Sequence, residues 1–187
     1  MDTNRSKFGH IVDGEDIDFA YPDLWAIEKT IGPDRLVLAS SGNHVGLLIE
    51  LLSAMQGPFW ILYLLIVPRS EAKPGRYQTP KPVSAEEVKA FLMQFKDALE
   101  GDGRHNLWIA SSVSKDMLVY DRHNVIYVYG ELERFQSIVE STSLSAVDSI
   151  KFSVPHTHRY NERFDSDIER ILQFCSWVYS PLHENDD

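Results

Sequence analysis

Apolar positions along the chain fall into two rhythms. One repeats every three to four residues and predicts helices. The other alternates or runs unbroken over five to nine residues and predicts strands. The clearest helix opens at Ser84, which with Glu87 three residues on makes a capping box. It buries Val88, Phe91, Leu92, Phe95, Ala98 and Leu99, and Gly101-Asp102-Gly103 ends it. A second helix follows the turn Ser40-Ser41-Gly42-Asn43 and carries Leu47, Leu48, Leu51, Leu52 and Met55 on one face. A third aligns Leu132, Phe135 and Val139. A fourth runs from Ser166 to Tyr179, read from Ser166 paired with Glu169 as another capping box. Pro22 is placed to open a further helix, with Leu24, Ile27 and Ile31 on one face and Gly32-Pro33 as its stop.

Strands are predicted over residues 35–39, 59–67, 107–113, 117–120, 125–129 and 150–154, with an acidic strand or loop at 13–19. The connections Ser114-Lys115-Asp116 and Asp121-Arg122-His123-Asn124 are too short for a crossover, so the three strands they join form an antiparallel meander. The fold class that follows is α+β, a mixed sheet with that meander and flanking helices, with α/β as the alternative. The apolar faces spread over the chain without a linker-like break, which points to a single domain over residues 10–183 and disordered tails at 1–9 and 184–187.

Composition narrows the function classes. The 187 residues carry 18 Lys and Arg against 28 Asp and Glu, a net charge of −10. That balance disfavours nucleic acid and anionic membrane as partners and favours a basic protein. One cysteine, Cys175, allows no internal disulfide and suits a reducing, cytoplasmic setting. Residues 45–67 are long and apolar enough to raise a membrane helix, but Glu50 and the Gln56-Gly57-Pro58 break divide them into a helix and a buried strand. No membrane association is expected.

Three groups of residues could carry chemistry. The first is a polar cluster, Asp121, His123, His156, His158 and Asp165. The His-x-His spacing puts two imidazoles on one strand face, as a metal site needs, and the Asp121-to-Asn124 turn supplies a third if the two strand ends meet. Without a longer metal-binding motif, and with Arg159 and Arg163 near, the expectation is a hydrogen-bonded polar cluster without metal or other cofactor. The second is the stretch 68–83, read as a long exposed loop with Arg69, Lys73, Arg76 and Lys81 as a binding loop. The third is Ser40, Ser41, Gly42 and Asn43, where helix N-terminal amides form a candidate anion site and Ser41 or Asn43 a plain N-cap. The four tryptophans, Trp25, Trp60, Trp108 and Trp177, are assigned to the core, and Cys175 to the apolar face of the last helix.

No catalytic residues are assigned, and the sequence reads as a non-catalytic binding or interaction protein. An inhibitor or immunity-type partner of a basic protein fits it. The alternative is a metal-assisted hydrolase that uses His156 and His158 with nearby carboxylates.

Overall fold

The computed structural model describes residues 6–69, 71–152, 155–184 and 186. The chain begins with a hairpin of β1 (Phe8–Val12) and β2 (Glu15–Asp18), followed by β3 (Leu24–Glu28) and β4 (Arg35–Ala39). Helix α1 (His44–Leu52) leads to β5 (Phe59–Leu65) and β6 (Gly75–Gln78), then to helices α2 (Ala85–Gln94) and α3 (Lys96–Gly101). The meander is β7 (His105–Ser111), β8 (Met117–Tyr120) and β9 (Val125–Tyr129). Helix α4 (Leu132–Val139), β10 (Ser145–Ala146), β11 (His156–His158), helix α5 (Asp165–Leu172) and β12 (Val178–Ser180) complete the chain.

Nine strands form one mixed sheet in the order β10-β3-β4-β9-β8-β7-β5-β6-β12, and a separate antiparallel sheet has the order β11-β1-β2. Within the large sheet β10 joins β3 in parallel, and the other pairings are antiparallel. The expected α+β class therefore holds, meander included.

Strand alternation divides the large sheet into two unlike faces. Leu36 and Leu38, Ile61 and Tyr63, Leu107 and Ile109, Leu118 and Tyr120, and Ile126 and Val128 point to one side. There they meet Leu48 and Leu51 of α1, Phe91 and Leu92 of α2, Leu99 of α3, Phe135 of α4 and Ile168 and Ile171 of α5 in one buried cluster. The intervening residues of the same strands face away from the helices. The small sheet covers part of that second face, where Phe8 and Tyr21 pack on Val37, Ala39 and Val125.

Several expected elements differ. Residues 24–28 are strand, not helix: Leu24 to Glu28 pairs with Ala39 to Arg35, and Ile31 is fully exposed in the turn. A short apolar run carries too little periodicity to separate the two states, and β4 a few residues on supplies the ladder. The stretch 68–83 is not one long loop, because Gly75–Gln78 pairs between β5 and β12. The last helix stops at Leu172, and residues 178–180 become the strand against β6. Ser166 lies inside that helix and caps nothing. The 3₁₀ turn before it (Glu162–Phe164) is capped by Asn161 instead, whose side chain accepts from the Arg163 amide. Cys175 lies past the helix end, half-buried, with its thiol pKa raised by burial. The strand expected at 150–154 is absent from Ile150 to Phe152, and Ser153 and Val154 lie outside the described residues. The capping box at Ser84 and Glu87 is present in both directions.

Within the stretches 1–9 and 184–187 expected as tails, residues 7–9 and Asp186 are packed. Phe8 and Gly9 belong to β1, Lys7 and Phe8 are fully buried, and the Asp186 side chain is buried against Arg76.

Candidate functional site

The β8–β9 turn is built by its own side chains. Asp121 Oδ1 accepts from the amides of His123 (2.8 Å) and Val125 (2.9 Å), and Asn124 takes a positive φ of 59°. Asparagine tolerates that conformation better than most residues, and its Oδ1 accepts from the Tyr120 hydroxyl at 2.7 Å. The second Asp121 oxygen accepts from His123 Nδ1 at 3.0 Å. Asp121 thereby orients the imidazole and leaves Nε2 as its free lone pair.

Strand β11 brings the other two histidines to the turn. It pairs with β1 through Phe8↔His158 and His10↔His156, so His156 and His158 share a face. Two contacts lock β1 in place. Lys7 Nζ donates to the Asp121 carbonyl at 2.9 Å, and the Arg159 amide donates to the Lys7 carbonyl at 2.8 Å. Gly103 makes room for this crossing, since a Cβ there would stand 2.4 Å from the Lys7 carbonyl oxygen. Its amide also donates to the Arg159 carbonyl at 2.9 Å.

The three imidazoles consequently converge. Ring centroids are 5.3 Å apart for His123 and His156, 4.8 Å for His123 and His158, and 5.0 Å for His156 and His158. One nitrogen from each ring lies within 4.8 Å of the others. Phe8 and Phe152 pack against the cluster, with Phe152 at 4.5 Å from His123 and 4.6 Å from His156. Burial, assisted by the Arg122 charge and the neighbouring histidines, pushes His158 down to about 3. Burial also lowers His156, with His123 and Arg122 adding to it. His158 Nδ1 is buried without a hydrogen-bond partner.

Of the five residues assigned to the polar cluster, Asp121, His123, His156 and His158 come together. Asp165 does not join them. Its carboxylate is taken by Arg104 at 2.7 Å and Arg69 at 3.4 Å. Arg159, expected to repel a cation here, is paired with Asp16 and Asp18 of β2.

The basic loop does not form one patch. Arg69 bonds Glu162 at 2.6 Å, and Arg76 sits in β6 and pairs with Asp186 at 2.5 Å. Lys73 and Lys81 remain exposed. At Ser40 to Asn43 the anion position is filled from within. Asp23 accepts from Ser40 Oγ at 2.9 Å and from the Ser41 amide at 2.8 Å, while Glu100 accepts from the Val45 amide at 2.8 Å. These bonds hold the Asp23 carboxyl below its usual pKa. Asn43 is the N-cap residue by position, yet its side chain makes no cap bond.

A larger feature went unassigned in the sequence. On the sheet face turned from the helices lies an open groove of about 640 Å³. Trp108, Met117, Val119, Tyr127 and Tyr129 line it, with Arg35, Glu28, Asp148, Asp121 and His123 around them. Arg35 lies 4.1 Å from the Tyr127 ring centre, bonds Glu28 at 2.7 Å and donates to the Tyr129 hydroxyl at 2.8 Å. Trp60 and Leu62 continue the apolar surface beyond Trp108. Trp108 is thus a half-buried groove residue and Trp60 a half-buried residue beside the groove, neither of them core, whereas Trp25 is core. The available signal was apolar residues at both parities of β7, β8 and β9, the pattern of a sheet covered on both faces.

No protein-family model, curated protein or solved structure matches this chain. Among the described residues, no helix is long and apolar enough to cross a membrane.

Proposed function

We propose that the chain is an acidic binding protein whose binding surface is the groove on the second face of the large sheet. The observation that carries this reading is the aromatic lining itself. Trp108, Tyr127 and Tyr129 stand half-exposed where the opposite face has five helices. Large aromatic surfaces left partly open are typical of recognition sites.

The partner we infer is a cationic segment of a basic protein. Net charge of −10 steers it, and Glu28, Asp121 and Asp148 border the groove. The aromatic floor already stacks guanidinium groups: Arg35 on Tyr127 and, 5.8 Å away, Arg76 on Trp108. The same charge argues for protein over nucleic acid as the partner, and the single cysteine for a cytoplasmic location. An inhibitor or immunity-type role is the form of this reading in which the basic partner is an enzyme.

The test is calorimetric titration with arginine-rich peptides and acidic peptides of equal length. The basic peptide binds, and raised salt weakens it. Trp108→Ala combined with Tyr127→Ala weakens it at least tenfold in a chain that still folds. Equal binding by that variant, or no binding of the basic peptide, rejects the groove.

A second reading, metal-assisted hydrolysis at His156 and His158, is favoured by their convergence with His123. It requires that these residues bind a metal.

A further inference from the structure

We propose that His123, His156 and His158 form a binding site for one divalent transition metal ion, with zinc the best match. The inference does not rest on the groove reading: Asp121 and His123 also border the groove, but the site stands on the convergence of three imidazoles at the junction of the small sheet and the β8–β9 turn.

The donor set selects the class of ion. Three imidazole nitrogens suit zinc, copper, nickel or cobalt, whereas magnesium and calcium require mainly oxygen ligands. Among the described residues, the group with this capacity consists of histidines alone. Three imidazoles at zinc's bond length of about 2.0–2.1 Å, in tetrahedral arrangement, have nitrogens about 3.3–3.4 Å apart. Here the nitrogens lie within 4.8 Å of one another, so side-chain rotations of an ångström or so close the gap.

Two further observations point to a ligand. His158 Nδ1 is buried with no partner, a state that costs free energy unless something binds there. Asp121 bonds His123 Nδ1 at 3.0 Å, and a carboxylate holding the far nitrogen of a histidine is the usual support of a zinc ligand. Arg122 on the same turn opposes a cation. Its guanidinium donates to the Tyr160 hydroxyl at 3.1 Å, and the Asp121 charge beside it works in the other direction. With three protein ligands, zinc retains a fourth position for water, which is the arrangement that metal-assisted hydrolysis uses.

The experiment uses the full chain without a histidine tag, stripped with EDTA and dialysed. It is titrated with Zn²⁺ by calorimetry and with Co²⁺ by visible absorption. Expected are one equivalent of Zn²⁺, a tetrahedral Co²⁺ spectrum, and a thermal midpoint that rises with Zn²⁺. Asp121→Asn, which preserves the turn's acceptor oxygen, weakens Zn²⁺ about 10- to 100-fold. His123→Ala/His158→Ala abolishes the site. If that variant fails to fold, His156→Gln, at a half-exposed position, replaces it and weakens Zn²⁺ at least tenfold. Absence of saturable Zn²⁺ binding, or undiminished binding in the folded histidine variant, overturns the proposal. Peptide titration in EDTA reads the groove separately, so failure of one leaves the other standing.

Discussion

Lys7 and Asp121 are 114 residues apart in sequence, yet Lys7 Nζ donates to the Asp121 carbonyl at 2.9 Å. The same ammonium lies 3.6 Å from the centre of the Tyr120 ring. Burial pushes its pKa down to about 7, with Asp121, Asp102 and Glu100 acting the other way. This one side chain ties the first strand to the meander turn, and through β1 it places β11 beside His123.

Lys7→Ala is expected to cost about 2 kcal/mol or more, from the lost hydrogen bond and the cavity left by the stem. Lys7→Met restores the packing and recovers part of the loss. Urea denaturation of the three proteins at equal pH checks the order wild type, Met, Ala.

Arg104 and Asp102 make a second fastening, with both side chains buried. Asp102 accepts from Arg104 Nε at 2.8 Å and Nη2 at 2.9 Å, and also from the Asn161 amide just past β11 at 3.1 Å. Arg104→Ala strands a buried carboxylate and is expected to cost about 3–5 kcal/mol. Arg104→Lys rescues little, because an ammonium cannot reproduce the guanidinium fork. Equilibrium unfolding measures both.

Leu92 is fully buried in the helix-side cluster. Leu92→Ala is expected to destabilise by roughly 2–5 kcal/mol, read from the shift in unfolding midpoint at unchanged m-value.

His44 gives a pH dependence of known sign. Burial is the main cause that lowers it to about 4. Lys7 and Lys96 add to this, while its bond to the Ser40 carbonyl and the Asp121 charge oppose it. The folded pKa lies below the unfolded value of about 6.5, so the unfolded chain binds more protons between them. Stability from this group is complete above pH 6.5 and is lost as pH falls toward 4, on the order of 3 kcal/mol. His44→Gln flattens that limb of the stability-versus-pH curve. An unchanged slope contradicts the assignment.

The legible parts of the fold were those where local signals agree with their surroundings. Ser84 and Glu87 cap their helix because the two reciprocal bonds need only residues three apart. The meander was legible because such short connections leave no room for a crossover. Leu24 to Glu28 was misread because its conformation is decided by a neighbour, β4, and by no periodicity of its own. The candidate site divides the same way. His156 and His158 share a face by spacing alone, but Lys7, Gly103 and the β1–β11 pairing that carry them to His123 act across the whole chain. Asp165 had the right chemistry beside the right histidines, and Arg104 claimed it. The groove escaped notice because an aromatic strand residue looks alike in sequence whether the layer above it is present or missing.

The large sheet ends in β10, two residues long, and in β12, three residues long. Backbone donors and acceptors at a sheet rim are the usual template for runaway strand addition. Here the outermost strand at either end offers an incoming strand only two or three residues of ladder to extend.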